Sequence, residues 1–190
     1  FVMKKAVLFF SVMLVCTAIF MTDAFSFRLG NKELVRLGTG SRSMFRIGTV
    51  YYASLWVPEE LKGKSAKEVI ETDLPMSVIM QVDSKLITRE KFVKAVREGF
   101  VKSAGSGYTT DKSNAFLSQF DSIDLTVGDK VFLNYVPNSG VTASVWTKAT
   151  KQTKTMGTTP GLQFKKALYA IWLGPNPVQA SLKNGMMGHR

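Results

Sequence analysis

The stretch from Met44 to Val57, MFRIGTVYYASLWV, is dense in β-branched and aromatic residues and stops at Pro58. Such a run favours a pleated, half-buried strand over a helix. Proline cannot donate to a strand ladder, so the strand ends there. A strand of this length has to be paired and covered, which makes a sheet with something packed on it the minimum architecture. Gly48 inside the run reads as a bulge. The run also sets a chemical problem. Tyr51 stands in its middle, and Arg42 lies just upstream, beside the Gly/Ser-rich stretch Gly38–Ser41 that reads as a turn. If both polar groups face one apolar interior, each needs a partner, from the protein or from a ligand.

The remaining pattern supplies the sheet and its cover. Leu34–Leu37, Ser77–Val82, Lys130–Val136 and Val141–Trp146 read as further strands, the last two joined by the hairpin turn PNSG at Pro137–Gly140. Lys148–Gly157 is a cationic turn or edge segment. Ser65–Thr72 carries a Ser-x-x-Glu capping box and reads as a short helix. Thr88–Ala104 is a clear amphipathic helix, with Phe92, Val96 and Phe100 at steps of four on one face and Lys91, Lys94, Arg97 and Glu98 largely opposite. Asn114–Phe120 is a shorter helix. Gly161–Leu173 repeats Phe164, Ala167, Leu168, Ile171 and Trp172 at three and four before Gly174-Pro175, and Val178–Met187 reads as a last helix. Strands that bracket a helical middle, with helices closing the chain, predict an α+β fold: a mostly antiparallel sheet covered by helices on one face.

Lys4-Lys5, the apolar Ala6–Met21 and the small residues Thr22-Asp23-Ala24 have the layout of a secretory leader cut after Ala24. The apolar run is shorter than the ~20 residues of a spanning helix, so a retained membrane anchor is the weaker alternative. The expectation is therefore a leader over 1–24 and a single domain over 25–190, exported to a periplasm or the exterior. Cys16, the single cysteine, lies in the leader after Val15, which is not the small residue that precedes a lipid-modified cysteine. The domain thus has no thiol, and its one histidine, His189, stands next to the C-terminal Arg190. These counts argue against disulfides, thiolate chemistry, His-dependent triads and His/Cys metal sites. The net charge of +11 suits anionic partners. Its lysines are scattered, without a compact basic run, and export argues against nucleic acid, so most of this charge reads as a solvated surface.

Several segments taken together resemble one family. LGTGSR at 37–42, YYASLWVPE at 51–59, SAKEVI at 65–70, GD at 128–129 and AIWLGPNPVQASLKNGMMG at 170–188 are similar, in order and spacing, to chalcone isomerase-like proteins, and within them to the exported bacterial branch. The resemblance implies an open-faced β-sandwich of chalcone isomerase type, with a ligand cleft between a large antiparallel sheet and its helices. It implies no cofactor and no metal. Ring-closing members use an arginine on the first hairpin, a threonine on the next strand, a tyrosine and an asparagine on the first long helix, and a small polar residue on the late helix. Arg42 matches the arginine. Tyr51 replaces the threonine, the two helix positions fall near Arg89 and Val96, and the late-helix position falls near Lys165. Thr88–Ala104 contains neither tyrosine nor asparagine, so the isomerase set is incomplete.

What survives, Arg42 with Tyr51, resembles the carboxylate-holding pair of the plant fatty-acid-binding members. The resemblance therefore implies an exported, monomeric, non-enzymatic protein. It would bind a small amphipathic carboxylate such as a fatty acid through Arg42 and Tyr51, with Phe92, Val96, Phe164 and Leu168 lining an apolar cleft. Two other readings stay open. One is a cofactor-free isomerase or lyase in which Arg42 stabilises an oxyanion and Tyr51 donates a proton. The other is a cell-envelope module with a vestigial cleft, in which Arg42 pairs with an acid such as Glu33, Asp83 or Asp129 and Tyr51 serves as a core residue.

Overall fold

A computed structural model describes residues 26–189. The expected leader and Cys16 lie outside the described residues. Seven strands form one antiparallel sheet in simple chain order: β1 (Ser26–Leu29), β2 (Lys32–Met44), β3 (Gly48–Val57), β4 (Met76–Val82), β5 (Lys130–Val136), β6 (Gly140–Thr147) and β7 (Gln152–Thr159). Helices α1 (Ala66–Glu71), α2 (Arg89–Gly105), α3 (Ser113–Ser118), α4 (Leu162–Leu173) and α5 (Ala180–Met186) complete the fold. The architecture is α+β, as expected. Side chains alternate across each strand, and one set goes inward. Leu55 and Val57 on β3, Val78 and Met80 on β4, and Val131 and Leu133 on β5 are buried.

Helix α4 is the centre of the cover. Nearly all of it is buried, from Phe164 to Leu173. Phe164 packs between Phe100 of α2 and Phe116 of α3, with ring centroids 6.0 and 5.2 Å away. A buried lysine sits in the same helix. The Lys165 ammonium donates to the carbonyls of Val69, Ile70 and Thr72 at 3.0, 2.8 and 2.9 Å. These carbonyls belong to the C-terminal turn of α1 and the residue that follows it, where a cation also suits the helix dipole. The position near the family's late-helix polar residue is thus used as an internal cap.

The first hairpin departs from the sequence-based expectation. Gly38–Ser41 is not a turn; it lies within β2, and the chain reverses later, over Phe45–Ile47. There Met44 pairs with Gly48, the Ile47 amide donates to the Met44 carbonyl at 3.1 Å, and Arg46 and Gly48 take φ of 63° and 85°. The reason is that the glycines of β2 serve packing. A Cβ on Gly38 would stand 2.2 Å from the Gly185 carbonyl oxygen, and one on Gly40 2.4 Å from that of Leu182. Helix α5 therefore lies directly on the backbone of β2. The other changes are smaller. The cationic segment is an edge strand, β7, and β1 adds a strand that the sequence pattern does not signal. Val178 and Gln179 precede α5 instead of opening it.

Gly40→Ala is expected to destabilise the protein by about 1–3 kcal/mol or more, through overpacking against backbone that cannot move aside. Gly105→Ala, at the open end of α2 with nothing within 4 Å of the new methyl, should be neutral or stabilise by a few tenths to about 1 kcal/mol. Urea unfolding of the two variants side by side measures the contrast.

Candidate functional site

Arg42 and Tyr51 are register partners on β2 and β3. Directly opposed residues of an antiparallel pair project to the same face, and here that is the helix-covered face. A bulge between Arg42 and Ser43 follows at once, which turns the end of β2 and re-aims its side chains. Tyr51 borders two adjoining spaces, and Arg42 borders the outer of them. The outer one is a cleft of about 350 Å³ between the β2–β3 hairpin and α2, lined by Arg42, Tyr51, Met44, Ile47, Lys91 and Lys102 among others. The inner one is a hollow of about 40 Å³ roofed by Phe92 and Val96 of α2 and walled by Ile171 and Trp172 of α4. Tyr51, Ile87, Ala95 and Val178 border both spaces.

The polar groups at this boundary are only partly satisfied. Arg42 is half-buried, and no carboxylate pairs with it among the described residues. Glu33 accepts from Ser26. Asp129 accepts from Thr126 and from the Lys148 amide. The Arg42 guanidinium instead donates through Nη1 to Gln179 Oε1 at 2.7 Å, with a long contact to the Ser43 carbonyl at 3.5 Å. The same Gln179 oxygen accepts from the Ser43 amide at 3.2 Å. Nε and Nη2 have no hydrogen-bond partner among the described residues. A neutral amide oxygen thus occupies the place that a carboxylate oxygen would take at a guanidinium.

Tyr51 is buried, and its hydroxyl accepts from Trp172 Nε1 at 3.2 Å. Its own proton has no acceptor among the described residues. Burial raises the phenol above its ordinary value, while the Trp172 hydrogen bond and the nearby Arg42 charge pull the other way. The group is therefore a neutral donor at physiological pH. Together the pair offers two free guanidinium nitrogens and one hydroxyl proton at the edge of an apolar space.

The other residues singled out in the sequence separate. Phe92 and Val96 line the inner hollow. Phe164 and Leu168 line neither space and are fully packed core. Phe164 packs into the α2–α3 aromatic cluster. It and Leu168 lie on the same apolar face of α4 as Ile171 and Trp172 but earlier along the axis, and only the last turn of that face reaches Tyr51. Arg89, near one vacated isomerase position, points away and pairs with Glu90 at 2.6 Å. Trp172, Val178 and Gln179 were missed as site residues. They lie within the IWLGPNPVQ block, but only the folded chain brings that block against β2 and β3.

A family model described as chalcone isomerase-like matches residues 20–188. The chain belongs to the chalcone isomerase-like family. Among solved structures, it is similar to a fatty-acid binding protein of Arabidopsis thaliana at a TM-score of 0.62 and 16% identity, over 86% of this chain and 92% of that one. That likeness shows the fold: a seven-stranded antiparallel open sheet with helices, of chalcone isomerase type. A comparison with curated proteins finds no match.

Tyr51→Phe removes the acceptor of the Trp172 indole and is expected to cost about 1 kcal/mol or more at neutral pH. Its alkaline behaviour should move the other way. A phenol whose folded pKa is raised contributes stability that is complete below the unfolded value, about 10. That stability is lost as pH rises through the folded value. The variant's stability should therefore fall less steeply than the parent's above pH ~10, as measured by urea unfolding across that range.

Proposed function

We propose that this protein is a binding protein for a small amphipathic carboxylate, most simply a fatty acid, and is exported. The carboxylate takes the place of the Gln179 amide oxygen on Arg42 and accepts the unused Tyr51 proton. The chain lies along the outer cleft with its start or end against the inner hollow. The observation that carries this reading is Arg42 itself: a half-buried guanidinium with no acid on it among the described residues, beside a buried hydroxyl whose proton has no acceptor among them, at the mouth of an apolar space. A vestigial cleft would instead have an acid closed onto Arg42 and no space beside it.

Magnitudes assign the roles. Charge-assisted hydrogen bonds to the carboxylate contribute about 1.5–3 kcal/mol. Each methylene removed from water contributes about 0.8 kcal/mol, so the alkyl chain sets affinity and the Arg42–Tyr51 pair sets orientation and the preference for an acid. The inner hollow, at about 40 Å³, admits only a small part of a chain, and the larger outer cleft has to hold the rest. That outer volume is at the low end of small-molecule sites, which favours short or medium chains.

Titration of the full chain with lauric acid and, separately, with methyl laurate tests the proposal. The acid should bind and the ester should bind more weakly. Arg42→Ala should weaken the acid by about ten- to a hundredfold and leave the ester nearly unchanged. Equal binding of acid and ester, or an Arg42→Ala variant with undiminished affinity for the acid, would count decisively against it.

A further inference from the structure

The outer lip of the cleft carries a group of apolar side chains that the protein leaves in water. Phe45 at the tip of the β2–β3 hairpin is 87% exposed. Met44 and Ile47 beside it, and Leu86 in the loop between β4 and α2, are 48%, 44% and 44% exposed. These account for four of the seven large hydrophobic side chains found exposed among the described residues. Topology explains why they meet. In a sheet running in chain order the β2–β3 turn and the segment after β4 fall at the same end, and Met44, Ile47 and Leu86 border one cleft. The tip is held in place by the Met44–Gly48 pairing and the left-handed Arg46. An exposed aromatic has no folding reason to be there, and grouped apolar side chains rimmed by polar ones mark interaction surfaces.

The rim is cationic. Arg46 stacks its guanidinium on the Phe45 ring at 5.2 Å. Lys85 precedes Leu86 in the chain, and Lys91 and Lys102 of α2 stand on the opposite lip of the cleft. Against them are the carboxylates of Asp83 and Glu98. A projecting apolar tip surrounded by long, flexible cations fits a deformable anionic surface, where the tip enters the acyl boundary and the amines reach headgroup phosphates. We propose that this end of the sheet docks on anionic phospholipid membranes, with Phe45, Met44, Ile47 and Leu86 inserted and Arg46, Lys85, Lys91 and Lys102 against the headgroups. The docked face is also the mouth of the cleft, so an amphipathic molecule passes between bilayer and cleft without crossing bulk water. The docking itself does not depend on the ligand proposed above.

The test uses the full chain with Cys16→Ser, carrying an environment-sensitive fluorophore on Phe45→Cys or, separately, on Ser139→Cys. Ser139 lies in the exposed β5–β6 turn at the opposite end of the sheet. With vesicles of equimolar phosphatidylcholine and phosphatidylglycerol, the label at 45 should brighten several-fold and shift to the blue, and the label at 139 should not. Phosphatidylcholine alone, added salt, or Lys91→Glu with Lys102→Glu should each reduce the response. The proposal is overturned if the label at 45 stays water-like, if both labels respond alike, or if neutral vesicles act as strongly as anionic ones. A shift that grows with protein concentration in the absence of vesicles would also overturn it, because a second copy would then be the occupant.

Discussion

The contact of α5 on the bare backbone of β2 is the constraint on which the site depends. Gly38 and Gly40 present no side chain to the helix, and Gly185 answers from the other side, where an added Cβ would stand 2.6 Å from Gly40 Cα. A glycine inside a short helix costs roughly 0.5–1 kcal/mol relative to alanine, and close dispersion contact along the whole interface offsets this. The geometric result matters more than the energy. Because the helix cannot stand off from the strand, the residue that precedes it, Gln179, is delivered to the end of β2, where Arg42 is.

Two polar residues then share one boundary with unequal partners. Arg42 keeps its charge in a half-buried place with the Gln179 amide oxygen and a long contact to the Ser43 carbonyl on it, and Tyr51 is anchored by an indole that can donate but never accept. Among the described residues this corner has few acceptors. Around it the walls are apolar: α2 contributes Phe92 and Val96, and α4 contributes Ile171 and Trp172. Gly99 of α2 allows this closeness, since a Cβ there would meet the Ile171 side chain at 2.6 Å. Close helix packing narrows the inner hollow and leaves the open volume to the outer cleft, between the hairpin and the lysines of α2. The same hairpin that carries Arg42 ends in the exposed Phe45 tip, so the Arg42–Tyr51 corner and the apolar lip share one element.

Much of this was legible in the linear chain, and for local reasons. A dense β-branched and aromatic run and Pro58 specify β3, the capping box specifies α1, and steps of three and four specify α2 and α4, because each pattern is written within a few residues of itself. The order of strand and helix patterns gave the α+β architecture, and the likeness of several separated segments to one family narrowed it to the chalcone isomerase type and gave Arg42 and Tyr51 a role. Gly38–Ser41 was misread because glycine has two uses. It permits left-handed turns and it permits backbone contact, and composition alone does not distinguish them. The second use requires a partner, here α5, more than a hundred residues away in the chain.

The sequence by itself therefore determined most of the elements, the family, and the presence of a guanidinium and a phenol close together in the chain with few acids nearby; that they oppose each other on neighbouring strands came from the fold. Only the tertiary structure decided which groups meet them: Gln179 on Arg42, Trp172 on Tyr51, Phe92 and Val96 at the hollow, and Phe164 and Leu168 away from it. It also decided that Met44, Ile47 and Leu86 share one cleft lip next to Phe45. The physical reason is common to all of these. Helix and strand periodicity fixes which side of an element is apolar, but not which part of that side meets which neighbour when packed. That placement is set by close-range contacts between segments distant in the chain.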